Sequence, residues 1–436
     1  MTMSQARILP LRTFDAQLAI PGDKSLSHRA LLFGALSEGL TEITGLLASA
    51  DVLSTWACLS ALGVKIEQMG ETVLVHGVGL GGFLSPSAPL DCGNSGTTLR
   101  LLMGILAGQN FEACLVGDAS LTRRPMKRVA EPLRQMGAKI ALREGNFPPV
   151  QIQPATLKGL DYALPVASAQ LKSALILAGL FAQERVTLRG EIGSRDHTER
   201  LLPHFGVNLH KSDGFLQIEP GQTLHAAQVQ VPGDPSTAAF WLAAAAMIPG
   251  GRVEIERVSL NPTRLGFINV LKRMGAVVVE EMTVGNPEPL GIVRLQQVPL
   301  QGTRVYAHEI PDLVDEVPLI AILATQATGI TEVRGAGELR VKESDRLEAI
   351  ALNLRAMGAQ ITLFEDGFAI EGPQALYGAE IEPFHDHRIA MAFAIAGLVA
   401  TGETRILNPE CVSISYPEFF DVLSSIHNGA MTPCVF

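Results

Sequence analysis

Two kinds of helical pattern alternate along the chain. The first is amphipathic and ends at a glycine that precedes a short apolar strand. These glycines are Gly63, Gly137, Gly206, Gly275 and Gly358. They are separated by 74, 69, 69 and 83 residues. Because glycine accepts the left-handed conformation that closes many helices, the spacing predicts a unit of about 70 residues that repeats along the chain.

The second kind of helix is apolar nearly all round and follows a polar residue. Its predicted starts lie near Ser25, Ser95, Ala169, Ser236, Glu316 and His387. A helix that is apolar all round is normally buried, whereas an amphipathic helix lies on the surface. Six units of this size are too many for one core. The pattern therefore predicts an α/β protein with two domains of three repeats each, in which three central helices are enclosed by sheet and outer helices.

The repeats also predict where the domains divide. The chain crosses from one domain to the other near Ile20 and again near Asp234. We therefore expect a discontinuous domain I of residues 1–20 and 235–436 and a continuous domain II of residues 21–234.

Composition narrows the class of protein. The chain has 436 residues, 47% of them hydrophobic and 18% charged, which suffices for large cores. Its longest apolar run, residues 238–249, is too short for the ~20 residues that span a bilayer. The N-terminal residues have neither an apolar signal core nor a transit-peptide composition. We therefore expect a cytoplasmic protein without a membrane partner.

Charge and cysteine content exclude further classes. The formal net charge is −10, which is unfavourable for general nucleic-acid binding, so we expect no nucleic-acid partner. We also expect a monomer. Neighbouring cysteines are never closer than 22 residues, which excludes a C-x-x-C motif and argues against a disulfide framework. The cysteines are Cys58, Cys92, Cys114, Cys411 and Cys434.

Basic residues lie at several predicted starts of buried helices. The first N–H groups of a helix and its dipole together attract an anion. Lys24 and Arg29 lie at the first start and Arg388 at the sixth. A cation in the first turn opposes the dipole and costs roughly 0.3–1 kcal/mol, so these residues indicate a bound anion. At the fourth start, Asp234 before Ser236 fits plain N-capping.

Basic residues also precede three outer helices, in residues 123–128, 194–197 and 340–346. In the third segment Lys342 and Arg346 are four apart, so we expect them on one helix face. A solvated charged surface explains the first segment as well as a ligand does. The third segment is better explained by a polyanionic ligand.

The neighbouring sequence argues against two apparent motifs. Residues 77–82 match G-x-G-x-x-G, but residues 83–86 form a predicted loop rather than a helix, so a dinucleotide site is excluded. His385 and His387 lack a third clustered ligand, which argues against a metal site. We therefore expect no metal site.

Four segments together resemble one known family. They are PGDKSLSHR at 21–29, GNSGT at 93–97, RVKESDR at 340–346 and DHR at 386–388. They resemble the 5-enolpyruvylshikimate-3-phosphate synthases, the 3-phosphoshikimate 1-carboxyvinyltransferases of the shikimate pathway. The resemblance implies a pair of inside-out α/β barrels whose buried helices point their N-termini at the interdomain cleft.

The resemblance also implies a reaction. The family transfers the enolpyruvyl group of phosphoenolpyruvate (PEP) to the 5-hydroxyl of shikimate 3-phosphate by addition and elimination, in the biosynthesis of chorismate and the aromatic amino acids. No cofactor is implied, and the partners are two small anionic substrates.

Site residues follow from the resemblance by position. Contacts to shikimate 3-phosphate fall on Lys24, Ser25, Arg29, Ser168, Gln170, Ser194, Asp315 and Lys342. Contacts to PEP fall on Lys24, Gly96, Arg124, Gln170, Arg346 and Arg388. The implied catalytic residues are Lys24, Asp315, which takes the hydroxyl proton, and Glu343, which handles the C3 proton. Asp312 is a rival for Asp315, and the spacing to Lys342 favours Asp315.

Two positions depart from part of the family. Ala169 stands where some members have serine, and Ile414 stands where some have a lysine that contacts PEP. One cationic contact is therefore missing or comes from elsewhere.

Two other functions fit the sequence less well. Sister enzymes that use UDP-N-acetylglucosamine typically carry asparagine at the position of Ser25 and a reactive cysteine in the loop that corresponds to residues 117–123. This chain has serine at the first position and no cysteine in that loop. Cys114 lies in a predicted strand, where we expect a buried thiol. A non-catalytic anion-binding protein would avoid buried carboxylates, so Asp315 and Glu343 argue against it.

Overall fold

The computed structural model describes residues 5–427, which form two compact units. Unit 1 contains residues 5–21 and 232–427, and unit 2 contains residues 22–231. Each unit has a hydrophobic core of its own.

The described residues form α-helices and mostly short strands. The helices are α1 Lys24–Leu36, α2 Ala50–Ala61, α3 Gly96–Leu106, α4 Lys127–Gln135, α5 Ala169–Gly179, α6 His197–His204, α7 Pro235–Met247, α8 Gly266–Arg273, α9 Val317–Gln326, α10 Arg346–Ala356, α11 His387–Gly397 and α12 Phe419–His427. The strands are β1 Gln5–Ile8, β2 Asp15–Ala19, β3 Ser37–Thr44, β4 Lys65–Met69, β5 Thr72–Val78, β6 Leu90–Asp91, β7 Ala113–Val116, β8 Lys139–Arg143, β9 Phe147–Gln153, β10 Leu160–Leu164, β11 Val186–Gly190, β12 Leu209–Ser212, β13 Phe215–Ile218, β14 Leu224–His225, β15 Gln228–Gln230, β16 Arg252–Ser259, β17 Val277–Val284, β18 Leu290–Gln296, β19 Arg304–Val305, β20 Gly329–Val333, β21 Thr362–Phe364, β22 Gly367–Gly372, β23 Glu380–Ile381 and β24 Thr404–Leu407.

The three sheets of unit 2 share one topology. Their strand orders are β6-β7-β9-β8, β10-β11-β13-β12 and β14-β3-β5-β4, with β15 also pairing β3. In each sheet the first pair is parallel and the next two pairs are antiparallel. Because β14 and β15 come from the end of the unit and pair with its first strand, the unit closes on itself.

Two sheets of unit 1 repeat this topology, and the third has three strands within residues 5–427. The unit also takes strands from the N-terminal segment. Its sheets are β2-β16-β18-β17, β19-β20-β22-β21 and β23-β24-β1. β2 pairs parallel with β16, and β1 pairs antiparallel with β24. These pairings explain why residues 5–21 belong with the C-terminal half.

Six helices are buried along most of their length, namely α1, α3 and α5 in unit 2 and α7, α9 and α11 in unit 1. Each starts within one residue of its predicted position, so those predictions are confirmed. The five predicted closing glycines have φ between 85° and 99°, which confirms the left-handed helix ends.

One helix prediction is wrong. Lys342 and Arg346 do not share a helix face, because Lys342 follows a 3₁₀ turn, Gly337–Val341, and α10 begins only at Arg346. The Asp345 side chain caps that start by accepting a hydrogen bond from the backbone N–H of Glu348 at 3.1 Å. The cap therefore decides where the helix begins, and the four-residue spacing does not.

Smaller features of residues 5–427 bear on the remaining predictions. Residues 83–86 form a loop, as predicted. The four cysteines in this range are free, with Cys114 half-buried in β7 rather than buried; Cys434 lies outside the described residues. No helix in this range combines the length and apolar character that a membrane crossing needs. No group of three or more potential metal ligands occurs in it.

Candidate functional site

The start of α1 carries a paired lysine. Asp23 caps the helix by accepting from the backbone N–H of Leu26 at 2.8 Å, which leaves Lys24 as the first helical residue. The Lys24 ammonium donates to Asp51 Oδ2 at 2.9 Å. An acid on the neighbouring helix α2 therefore holds this cation beside the helix N-terminus.

Arg29 lies one turn further along α1, in a buried polar layer. Its guanidinium donates to Thr198 Oγ1 and Ser173 Oγ, each at 2.8 Å, and to the Ser25 carbonyl oxygen at 3.0 Å. These contacts join α1 to α5 and α6 and place Ser25 and Arg29 together.

Two arginines flank the start of α3. Ser95 caps this helix and Gly96 is its first residue. Arg124 is buried and donates to Asn94 Oδ1 at 2.7 Å. A Cβ atom added at Gly96 would lie 2.8 Å from Arg100 Nη1 and 3.5 Å from Arg124 Nη1. Only a residue without a side chain leaves both guanidinium groups undisturbed.

Gln170 connects the starts of α3 and α5. Its Oε1 accepts from Arg100 Nη1 at 2.6 Å, and its Nε2 donates to Thr97 Oγ1 at 2.9 Å. The two contacts fix which way the amide points. Arg100 was not predicted as a site residue, although a basic residue four positions after Gly96 in a buried helix was a usable signal.

Two serines lie at and near the start of α5. Ser168 caps this helix with a long contact of 3.4 Å from the backbone N–H of Leu171. Ser194 lies in the loop before α6 and is only 3% exposed. Its Oγ has no hydrogen-bond partner among residues 5–427.

A chain of buried side chains links α1 to the start of α3. His28 Nδ1 lies 2.7 Å from Thr55 Oγ1, Thr55 lies 2.6 Å from Thr98 Oγ1, and Thr98 donates to Ser95 Oγ at 2.7 Å. Burial lowers the pKa of His28 well below its usual value, with smaller contributions from Lys24 and other neighbouring charges. The imidazole is therefore neutral near pH 7.

In unit 1, three carboxylates surround one arginine. Arg346 is 1% exposed and is the first residue of α10. It donates to Asp386 Oδ2 at 2.8 Å, to Glu343 Oε2 at 2.7 Å and to Asp315 Oδ1 at 3.2 Å. Burial alone would lower the pKa of this guanidinium, but Asp386, Glu343 and Asp315 outweigh it and raise that pKa. The cluster therefore brings together the two predicted acid–base carboxylates.

Asp386 joins this cluster to the start of α11. It accepts from the backbone N–H of Arg388 at 2.9 Å and from Ser344 Oγ at 3.1 Å. Arg388 Nη2 lies 4.0 Å from Asp315 Oδ2, and Arg388 Nε has no hydrogen-bond partner within the described chain. Asp386 was not predicted as a site residue, because an aspartate before a buried helix reads as an ordinary cap.

Lys342 and Asp312 stand apart from the contacts of Arg346. Lys342 Nζ lies 3.4 Å from Glu338 Oε1. Asp312 ends the 3₁₀ turn Ala307–Asp312. The carboxylate that contacts the Arg346 guanidinium is that of Asp315, not that of its rival Asp312.

The start of α7 contains a buried network that the sequence did not reveal. Asp234 caps the helix through the backbone N–H of Ser236 at 2.9 Å, which confirms plain capping. Arg264 donates to Asp234 Oδ1 at 2.7 Å and to Ser236 Oγ at 3.0 Å, and Ser236 in turn donates to Glu316 Oε1. This network ties the start of α7 to that of α9.

These features define a class. The protein has a mixed α/β fold, and several of its buried helices begin beside arginine or lysine side chains, as expected of a protein that binds anions.

The comparisons identify the family within that class. The family model for EPSP synthase (3-phosphoshikimate 1-carboxyvinyltransferase) matches residues 10–423, and the chain belongs to this family. It is 48% identical over 431 residues to the 3-phosphoshikimate 1-carboxyvinyltransferase of Bacillus licheniformis, covering 98% of this chain and 100% of that relative. The same enzyme of Bacillus thuringiensis subsp. konkukian is 47% identical over 427 residues, covering 97% and 100%.

The chain is also similar to solved structures. An EPSP synthase from Acinetobacter baumannii has a TM-score of 0.85 and 41% identity, covering 97% of this chain and 98% of that one. An enolpyruvyl transferase from Streptomyces tendae has a TM-score of 0.77 at 17% identity, a likeness of fold alone.

Proposed function

We propose that the protein transfers the enolpyruvyl group of PEP to the 5-hydroxyl of shikimate 3-phosphate and releases phosphate. The observation that carries this proposal is the contact of Asp315 and Glu343 with Arg346. The reaction needs a base for a hydroxyl proton and an acid for a carbon, and two carboxylates on one buried cation supply such a pair. The activity named for the Bacillus relatives supports the same conclusion.

The proposed reaction has two stages. The 5-hydroxyl oxygen attacks C2 of PEP and gives its proton to Asp315, while C3 of PEP takes a proton from Glu343. This addition gives a tetrahedral intermediate that still carries the PEP phosphate. In the elimination, phosphate leaves C2 and takes the proton held by Asp315, while Glu343 takes a proton back from C3, which forms the enol ether and restores both carboxyl groups.

Binding two anions is the second requirement of this reaction. PEP and shikimate 3-phosphate together carry two phosphates and two carboxylates, so their charges must be balanced. In unit 2 we assign Lys24 to both substrates, and Arg124, Gln170 and the start of α3 at Gly96 to PEP. Helix N–H groups and arginine forks suit these oxygens.

The remaining assignments follow the same chemistry. Ser25 and Arg29 would bind the carboxylate of shikimate 3-phosphate, with Gln170 against its ring. Ser168 and Ser194 would bind its phosphate. The buried hydroxyl of Ser194, which has no hydrogen-bond partner among the described residues, supports that role.

In unit 1 we assign Arg346 and Arg388 to the carboxylate and phosphate of PEP, and Lys342 to shikimate 3-phosphate together with Asp315. The guanidinium Nε of Arg388, which has no partner in residues 5–427, supports its share of this role.

We also infer that each unit is an inside-out α/β barrel of three repeats, with the N-termini of its buried helices directed at the substrates. The topology shared by the three sheets of unit 2 and two sheets of unit 1 supports this arrangement. The cytoplasmic location and the monomeric state stay predictions of the sequence.

An assay of phosphate release tests the proposed activity. Phosphate should appear when PEP and shikimate 3-phosphate are supplied together and not when either is supplied alone. UDP-N-acetylglucosamine should not replace shikimate 3-phosphate as the acceptor. Release with UDP-N-acetylglucosamine instead would assign the chain to the sister activity, and tight binding of both anions without release would make it a binding protein.

A matched pair of variants tests the general base. Asp315→Asn should bind shikimate 3-phosphate nearly normally but turn over at least ~100-fold more slowly, as expected for a lost general base. Asp312→Asn is the control and should keep most of the turnover. The opposite result for the two variants would transfer the role to Asp312.

A further inference from the structure

A buried lysine in α5 has no part in the roles assigned above. Lys172 is 1% exposed. Its ammonium donates to the carbonyl oxygens of Ile192 at 2.9 Å and Ser194 at 3.0 Å, and pairs with Glu199 Oε1 at 2.6 Å. A lysine has three N–H donors, so these contacts use all of them.

The charge of Lys172 is not explained by stability alone. Burial lowers the pKa of the ammonium, although the nearby Glu199 carboxylate acts in the opposite direction. Well-packed apolar residues often stabilise a core as well as a buried ion pair does. An apolar side chain, however, cannot hold two carbonyl groups at one point.

Those two carbonyl groups belong to a loop with little regular structure. Residues 191–196 connect β11 to α6 and include neither strand nor helix. Within the loop, the backbone N–H of Ser194 donates to the Ile192 carbonyl oxygen at 2.9 Å. Because no ladder of strand hydrogen bonds holds this segment, its shape depends on individual contacts such as those of Lys172.

The same loop carries the buried hydroxyl described above. Ser194 Oγ has no hydrogen-bond partner among residues 5–427, and the residue is only 3% exposed, so solvent does not readily reach it. Leaving such a group unsatisfied costs free energy unless a ligand completes the bond. Its position therefore matters to whatever ligand it meets.

A second tie lies directly beside the first. Arg29 donates to Ser173, which follows Lys172, and to Thr198, which precedes Glu199. Ser173 and Thr198 are themselves 2.7 Å apart, Oγ to Oγ1. The helices on which Lys172 and Glu199 lie are thus held together without the ion pair, which leaves the loop carbonyls as the particular task of the ammonium.

We propose that Lys172 is a positioning residue that holds the Ser194 hydroxyl where the phosphate of shikimate 3-phosphate binds. Lys172 does not contact the substrate and acts only through the backbone of the loop. This inference rests on the proposed function.

Three variants separate the loop contacts from the ion pair. Glu199→Gln keeps the lysine and both carbonyl contacts, so the dissociation constant of shikimate 3-phosphate should stay within about twofold of the parent. Lys172→Met combined with Glu199→Gln leaves no unpaired buried charge but removes the loop contacts. It should weaken shikimate 3-phosphate at least ~10-fold, the order expected for a lost hydrogen bond to a charged group. Ser194→Ala should weaken it to a similar extent.

Calorimetric titration with shikimate 3-phosphate gives these constants, and steady-state kinetics give the PEP KM and kcat. With saturating shikimate 3-phosphate, kcat and the PEP KM of the Lys172→Met/Glu199→Gln variant should change by less than about threefold, which a general loss of structure would not allow. Adding Ser194→Ala to that variant should weaken binding little further, because both changes act on one contact.

Three results would overturn the inference. The first is that Glu199→Gln and the double variant bind shikimate 3-phosphate equally well. The second is that the double variant and Ser194→Ala multiply each other's effect on the dissociation constant. The third is that Ser194→Ala binds shikimate 3-phosphate as the parent does. The last result counts even if the double variant does not fold. A parent protein that binds no shikimate 3-phosphate would instead contradict the proposed function.

Discussion

Replacing Gly96 by alanine tests whether the start of α3 holds PEP. The new Cβ would lie 2.8 Å from Arg100 Nη1, so this guanidinium must move by about 0.6 Å to reach an ordinary contact. Arg100 Nη1 also donates to Gln170 Oε1 at 2.6 Å, so Gln170 moves with it. The new Cβ would lie 3.5 Å from Arg124 Nη1, an ordinary van der Waals contact, so Arg124 need not move. The change therefore disturbs Gln170, a side chain assigned to PEP, through Arg100, while sparing the backbone.

The structure sets the size of the effect. Alanine improves helix propensity by up to ~1 kcal/mol, which offsets the small cost of moving a flexible side chain, so the free energy of unfolding should stay within about 1 kcal/mol of the parent. A methyl group in the PEP site should cost about 1–3 kcal/mol of PEP binding, equal to a roughly 5- to 150-fold higher PEP KM. Binding of shikimate 3-phosphate should change less.

Gly104 provides a matched control in the same helix. A Cβ there would lie 2.2 Å from the backbone oxygen of Ala174 in α5, an atom that cannot move without shifting a buried helix. Gly104→Ala should therefore lower the free energy of unfolding by about 3 kcal/mol. Steady-state kinetics and urea unfolding of both variants are the measurements. An unchanged PEP KM in Gly96→Ala, or a loss of stability equal to that of Gly104→Ala, would refute the reasoning.

Two further predictions concern buried charges. Burial lowers the pKa of His28, so as pH falls the unfolded chain binds a proton at this residue before the folded chain does. The contribution of His28 to stability is therefore complete above about pH 6.5 and is lost below it. His28→Asn should flatten the fall in unfolding free energy between about pH 6.5 and pH 5, and an unchanged slope would contradict this. Arg264→Met removes the buried guanidinium that pairs with Asp234 and donates to Ser236. This should cost about 3–5 kcal/mol in urea unfolding, whereas a loss below ~1 kcal/mol would show that the network is not stabilising.

The buried helices could be predicted because their signals are local. In α7, for example, Asp234 is followed directly by an unbroken apolar run, and every residue of Pro235–Met247 is buried. Cap and burial pattern lie within one stretch of sequence, so no knowledge of distant residues is needed. The glycine ends of the outer helices are local in the same way.

Many contacts of the candidate site could not be predicted, because their partners are far apart along the chain. Arg100 and Gln170 are 70 residues apart, and Arg346 and Asp386 are 40 apart. No periodic pattern in a single sequence relates such positions. The resemblance named Gln170 and Arg346 individually, but only the folded chain shows that each is fixed by a partner outside the predicted site.

The surroundings of Arg346 constrain how PEP can use it. The three carboxylates occupy four of the five N–H donors of Arg346, so a PEP carboxylate that takes two donors of this guanidinium must take the place of one of them. Asp386 is fully buried and also caps α11, so it cannot leave without loosening that helix. Asp315 and Glu343 are more exposed, with side chains 18% and 14% accessible, and are the ones that can be displaced. These are the two groups that the proposed reaction needs as base and acid. Exchange on Arg346 would therefore release a catalytic carboxylate only when PEP has arrived, which makes proton transfer depend on an occupied site.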